Sequence, residues 1–177
     1  MLIPGHIAGG WLVTRQLTNS LGSLSGLERR RLLILGTIVG TLPDWDYIWY
    51  VIQKGRLAFD SDFRHHTWVT HTFPFYLIPA ALLFLVGTIR KNRDLEHIAT
   101  IFAASTSIHL ILDAIGTADG IMLLYPFSKR MFGIALSGIY GKEGVVHYMN
   151  SPIYLVELTL VVIVVVTLLY DLARPRL

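Results

Sequence analysis

Cysteine is absent from this chain. That removes disulfides and thiolate metal sites together, leaves the redox compartment open, and means any metal must be held by histidine and carboxylate. Charge is nearly as scarce. Only 15% of the 177 residues are charged while 53% are hydrophobic, and the mean hydropathy is +0.55, which is too apolar for an ordinary soluble domain. Internal repeats and low-complexity segments are missing too, so the length reads as one membrane-embedded domain over 1–177. The start, Met1 to Leu12, lacks the basic lead and small-residue cleavage site of a secretory signal and is expected to stay in the mature protein. The formal charge is a modest +3. Its cations fall in clusters between apolar runs and not along one face, so no nucleic-acid partner is expected.

What is present is a series of apolar runs with polar punctuation: Leu2 to Leu17, Leu32 to Val51, Phe73 to Ile89, Ile98 to Ile115 and Pro152 to Tyr170. A membrane helix needs roughly 17 to 25 residues to cross the hydrocarbon. The last three runs meet that length and the first two only marginally, since Pro43-Asp44-Trp45-Asp46 breaks the second. The β-branched stretch Val161 to Val166 would suit a buried strand, but nearly twenty unbroken apolar residues argue for a helix in lipid. The expected class is an all-α integral membrane protein of about five helices, four or five of them transmembrane.

Orientation follows from the basic clusters. Arg15, Arg29 to Arg31, Arg90 to Arg93 and the tail Arg174 to Arg176 fall at alternate ends of successive runs, as a single cytoplasmic face would produce. Five crossings then place the C-terminus in the cytoplasm and the N-terminus outside. Residues capable of chemistry gather at the opposite, extracytoplasmic end: His6, Asp44, Asp46, the stretch His65 to His71, and His109 with Asp113. Trp45, Tyr47, Trp49, Tyr50 and Trp68 lie at the same end, as an interfacial aromatic belt would.

His109 and Asp113 stand four apart, so on a helix they project from one face a turn apart and could reach one ion. A mutual hydrogen bond would satisfy them equally, but ionisable groups inside membrane segments are costly and functional by default. Asp44 and Asp46 follow Pro43, where a helix should stop or kink. Such a turn is ordinarily a solvated cap; its interest comes from the other acid and histidine sets at the same face. His66 and His71 are loosely spaced for one helix face, and a turn before a helix entrance would have to aim both rings inward. A lone His6 in an apolar helix is commonly just a satisfied polar group. His97, beside Arg93 and Glu96, falls at the basic end and reads as solvated, while His65, His147 and Glu157 remain open as additional ligands.

Taken in order, His6, Leu42-Pro43-Asp44-Trp45-Asp46, His66-x-x-x-Thr70-His71, His109-Leu-Ile-Leu-Asp113, then Thr117, Gly120 and Tyr125-Pro126-Phe127 resemble the membrane-bound metal-dependent hydrolases of bacterial and archaeal inner membranes. The resemblance covers positions 6 to about 132. That family is similar in turn to the all-helical zinc-dependent phospholipase C and single-strand nuclease superfamily, which implies phosphoester hydrolysis at clustered metal ions. One departure stands out: the family writes His-Arg-Gly where this chain has His66-Thr67-Trp68, and Arg64 is the nearest replacement for the missing arginine.

On this reading His6, Asp44, Asp46, His66, His71, His109 and Asp113 are the metal ligands, too many for one tetrahedral zinc and suited to two ions sharing a carboxylate. Nitrogen and oxygen donors suit zinc, manganese or iron, and the resemblance favours zinc. Asp46, Thr70 and Arg64 are the catalytic candidates, with Thr70 expected behind a ligating ring. The expected substrate is a membrane lipid or lipid-linked phosphate, because aromatic anchors and Arg64, Lys129 and Arg130 all sit at headgroup level. The alternative is an ion or proton transporter, whose sites lie near the midplane of repeated, broken-helix architectures.

Overall fold

The computed structural model of the chain describes residues 1–22, 24–55, 64–116, 120–134 and 141–173; Thr117 and the tail Arg174 to Arg176 lie outside the described residues. Within them the protein is all-α. Its helices are α1 (Ile3–Ser20), α2 (Gly26–Val39), α3 (Asp46–Lys54), α4 (Phe73–Ile89), α5 (Arg93–Gly116), α6 (Gly141–Met149) and α7 (Ile153–Ala173). Short 3-10 turns occupy Leu42–Trp45, His65–Thr67 and Val69–His71. The only β-type pairing among the described residues is an isolated bridge between Ile121 and Phe132.

Local chemistry explains the boundaries. Ser25 and Glu28 close a capping box at the start of α2, each side chain taking the other's backbone N–H. Pro43 occupies the first turn of a 3-10 segment, so the second apolar run is split into α2 and α3, and Gly55 ends α3 in the left-handed conformation at φ 67. The Asn92 side chain accepts the N–H groups of Asp94 and Leu95, starting α5 straight after α4. Val161 to Val166 are helical within α7, as their length in the sequence predicts.

The expectation of about five helices, four or five of them spanning, needs correction: the described residues form seven helices. Among the described residues α5 (24 residues) and α7 (21 residues) are long and apolar enough to cross a bilayer, and α4 is apolar but has 17 residues. At about 1.5 Å per residue, α1 and α2 reach only about 27 and 21 Å, short of a hydrocarbon core of about 30 Å. The apolar run over 32–51 misled because it joins two separate helices and the turn between them. Apolar surface on α4 and α7 is nonetheless exposed nearly all round, with Ile89 71% and Leu172 78% accessible, which fits lipid and not water.

Small residues let the helices meet closely. A Cβ on Gly10 of α1 would stand 2.7 Å from the Gly36 carbonyl and 3.0 Å from the Gly40 Cα of α2. This backbone-to-backbone approach is the small-residue packing used by helices in membranes, and buried Thr14 adds a 3.2 Å contact to Ser105 of α5. Gly10→Ala should force α1 and α2 apart and lower stability by about 1–3 kcal/mol; a thermal unfolding midpoint equal to that of the parent would contradict the packing.

The bundle has two chemically distinct ends. Arg15 of α1 pairs with Asp171 of α7 at 3.2 Å, and Arg29 of α2 donates to the Asn19 side chain at 2.6 Å. The α4–α5 connection with its basic residues is at the same end, since His97 in the first turns of α5 lies near Glu28 in the first turn of α2. The opposite end carries the start of α1, the Leu42–Trp45 turn, the two histidine turns and the C-terminal half of α5.

Candidate metal centre

The glycine crossing places the first turn of α1 against the end of α2, with the His6 carbonyl 3.0 Å from where a Gly40 Cβ would be. The Gly40 carbonyl then receives His109 Nδ1 at 2.7 Å in a buried hydrogen bond from α5. A carbonyl only accepts, so Nδ1 carries the proton and the lone pair of His109 is at Nε2. That atom faces Asp113 Oδ2 at 3.0 Å and Asp44 Oδ1 at 3.6 Å. His6 stacks on His109 with ring centroids 3.7 Å apart, and its Nε2 lies 3.0 Å from Asp113 Oδ1. The two consecutive 3-10 turns solve the spacing problem of His66 and His71: the extended Trp68 between them lets both rings point into the same space.

Two adjoining sets of possible metal donors result. His6, Asp44, His109 and Asp113 form one, and His65, His66 and His71 the other, the donor atoms within each set lying within 4.8 Å of one another. Asp44 and Asp113 connect them, because His71 Nε2 is 3.6 Å from Asp44 Oδ1 and 3.7 Å from Asp113 Oδ2, and His66 Nε2 is 3.9 Å from Asp113 Oδ2.

Does this arrangement fit a metal ion? His71 Nε2 and His6 Nδ1 are buried without a hydrogen-bond partner, and His109 Nε2 and Asp113 Oδ2, though 3.0 Å apart, are not aligned for one, an arrangement normally too costly to keep unless something binds there. Other imidazole–carboxylate separations of 3.6–3.9 Å are too long for hydrogen bonds. They approach the spacing of about 3.4 Å between neighbouring ligands around a tetrahedral ion with bonds of about 2.1 Å. The donor set is all nitrogen and oxygen. The residues present therefore fit a divalent ion.

Asp46 stands one step back from the two sets. Its Oδ1 faces His65 Nδ1 at 3.3 Å, while Oδ2 accepts the Thr70 hydroxyl at 2.6 Å and approaches His71 Nδ1 at 3.2 Å. A carboxylate on the far nitrogen of a ligating histidine fixes the ring and raises its basicity, and Thr70 steadies that carboxylate. Burial by itself would raise the Asp44 and Asp46 carboxyls, but the imidazoles around them outweigh it and hold both below the usual range, Asp46 at about 2. For His71 burial works the other way; Asp44 and Asp46 overcome it and push the ring up to about 9.

Of the residues read from the sequence, His6, Asp44, Asp46, His66, His71, His109 and Asp113 are thus brought together, with Thr70 attached through Asp46. Arg64 is exposed at the entrance to the first histidine turn, and Lys129 and Arg130 are exposed on the loop whose Met122 N–H reaches the His66 carbonyl at 3.4 Å. His65 joins the second set; its adjacency to His66 was the available signal. His147 is exposed on α6 and stands apart. Glu157 is buried against the start of α1 and belongs to neither set. His97 lies 12 residues, about 18 Å, along α5 from His109.

Compared with protein families, the chain matches the model of the YdjM inner membrane protein over residues 1–175. The chain belongs to the YdjM inner membrane protein family. No curated protein and no solved structure matches it. Membership in the YdjM family supports the inner-membrane location, and with it the lipid-facing surfaces of α4, α5 and α7. The family name states no chemistry, so what the YdjM cluster does must be argued from its own atoms.

Proposed function

We propose that this YdjM-family protein is a membrane-bound metal-dependent hydrolase that cleaves a phosphoester of a lipid or lipid-like amphiphile. The observation that carries the reading is the set of buried, unpartnered imidazole and carboxylate atoms converging on Asp44 and Asp113. His6, Asp44, His109 and Asp113 would hold one divalent ion, zinc for preference and manganese or iron as substitutes, and His65, His66 and His71 would serve a second. When bound, such an ion supplies Lewis acidity and an activated water at neutral pH. The protein's own part is positional: the Gly40 carbonyl orients His109, and the Asp46–Thr70 pair orients His71. Arg64, Lys129 and Arg130 are exposed at the end where an anionic headgroup would lie, and aromatic residues at the same end, Trp45 and Trp49 among them, would stay at the interface.

Multi-pass topology is part of the proposal, with the basic end cytoplasmic and the metal centre on the extracytoplasmic side. A cysteine introduced as Asn92→Cys should resist membrane-impermeant thiol reagents in intact cells. Ready labelling there would invert the orientation.

Metal analysis of gently purified protein tests the central reading, with one to two equivalents of zinc or manganese per chain expected. Metal-free protein that instead dissipates a proton or ion gradient in vesicles would favour a transporter. For the substrate, short-chain phospholipids and a lipid pyrophosphate should be hydrolysed faster than a soluble phosphodiester, and Arg64→Ala should slow the lipid substrates. Turnover of the soluble ester alone, indifferent to Arg64→Ala, would rule out the lipid assignment.

A further inference from the structure

We infer that Glu157 of α7 is a positioning residue for the metal centre: it takes up the first N–H groups of α1 and so fixes where that helix delivers His6. The inference rests on the reading of His6 as a ligand. Glu157 is the buried residue of an otherwise lipid-facing helix, at 2% exposure. A carboxyl group in such a segment is expensive and normally has a task. Its Oε1 accepts from Gly5 N at 3.2 Å, and its Oε2 accepts from Leu2 N at 3.0 Å and from the Tyr148 hydroxyl at 2.6 Å. The N–H groups at a helix start have no partner inside the helix, and the helix dipole favours an acidic group there. Glu157 therefore takes the place of an N-cap for α1, which has no side-chain cap of its own.

The contact also sets distance. A Cβ on Gly5 would stand 2.9 Å from Glu157 Cγ, so the helix start is pressed onto the α7 side chain with no room for a methyl group. His6 is the next residue, and its ring must reach Asp113 at 3.0 Å and stack on His109 at 3.7 Å. A small rotation of this first turn would carry the ring off both. A purely structural alternative exists, in which Glu157 only ties α7 to the bundle. Arg15 and Asp171 already join the same two helices at the other end, and the alternative makes a different prediction about His6.

The experiment uses the full chain in detergent, with zinc as the probe and a chromophoric chelator as competitor. Glu157→Gln should weaken zinc binding by about 10-fold or more, the range for residues that orient a ligand. In a His6→Ala background the same change should cost nothing further, because the ring it positions is gone. An unchanged affinity, or an equal loss in both backgrounds, overturns the inference. If E157Q does not fold, Gly5→Ala leaves the carboxyl intact but displaces α1 from it, and the same His6-dependent loss is expected. Nitrogen-15 signals of the His6 ring in metal-free protein give a readout that needs no ion. If the parent binds no zinc, the metal-centre reading fails; unmoved His6 signals in E157Q then overturn the positioning role, and shifted ones sustain it.

Discussion

Asp113→Asn should strip the protein of zinc and abolish hydrolysis while the helices persist. Asparagine keeps the size and shape of the side chain but removes the charge that balances a divalent ion, and of the carboxylates at the site Asp113 is approached most closely by imidazoles: His6 and His109 at 3.0 Å, with His71 at 3.7 Å and His66 at 3.9 Å. The loss in zinc affinity should exceed the roughly 100-fold that removal of a group behind the ligands can reach. Helix content by circular dichroism should hold. His97→Ala is the comparison, since His97 is on the same helix but at the basic end. It should match the parent in both metal content and turnover. Equal behaviour of the two variants would mean that the gathering of acids and histidines has no function.

Much of this centre is legible in the sequence because its parts obey local rules. Four-residue spacing puts His109 and Asp113 on one face wherever the segment is helical, and Pro43 must interrupt the second run whatever surrounds it. The alternation of basic clusters encodes which end each helix presents. Other features depend on contacts that no local pattern records. That Asp46 stands behind His65 and His71, and not with Asp44, depends on a two-residue step from a 3-10 turn into the start of α3. The Gly40 carbonyl that orients His109 is a backbone atom 69 positions away. Glu157 reads in sequence as one acid in an apolar run, and its attachment to Gly5 across 152 positions exists only because α7 packs on α1. The count of spanning helices failed for a simpler reason: summed hydropathy does not register that Gly40 and Pro43 divide one apolar run into two short helices.

Zinc affinity should climb steeply with pH and level off only near pH 9. The metal-free His71 ring is raised to about 9 by Asp44 and Asp46 against the opposing effect of burial, so at neutral pH it holds a proton that an ion must displace. That single proton costs about tenfold in affinity per pH unit below 9, hence about 100-fold between pH 9 and pH 7. Calorimetry in buffers of different ionisation enthalpy should register its release. The metal-free protein should show the opposite trend. A pKa raised from 6.5 to about 9 contributes stability that is complete below 6.5 and disappears as pH rises through 9. Asp46, lowered from 3.8 to about 2, contributes stability present above 3.8 that disappears as pH falls through 2. Metal-free protein should therefore be most stable between these limits, and zinc should move the optimum upward. Asp46→Asn separates the causes: without that carboxylate the His71 ring loses a raising partner, so the levelling of zinc affinity should shift to lower pH. A zinc affinity that is flat from pH 6 to 9, or a break that Asp46→Asn leaves in place, would show that His71 is not a ligand held by Asp46.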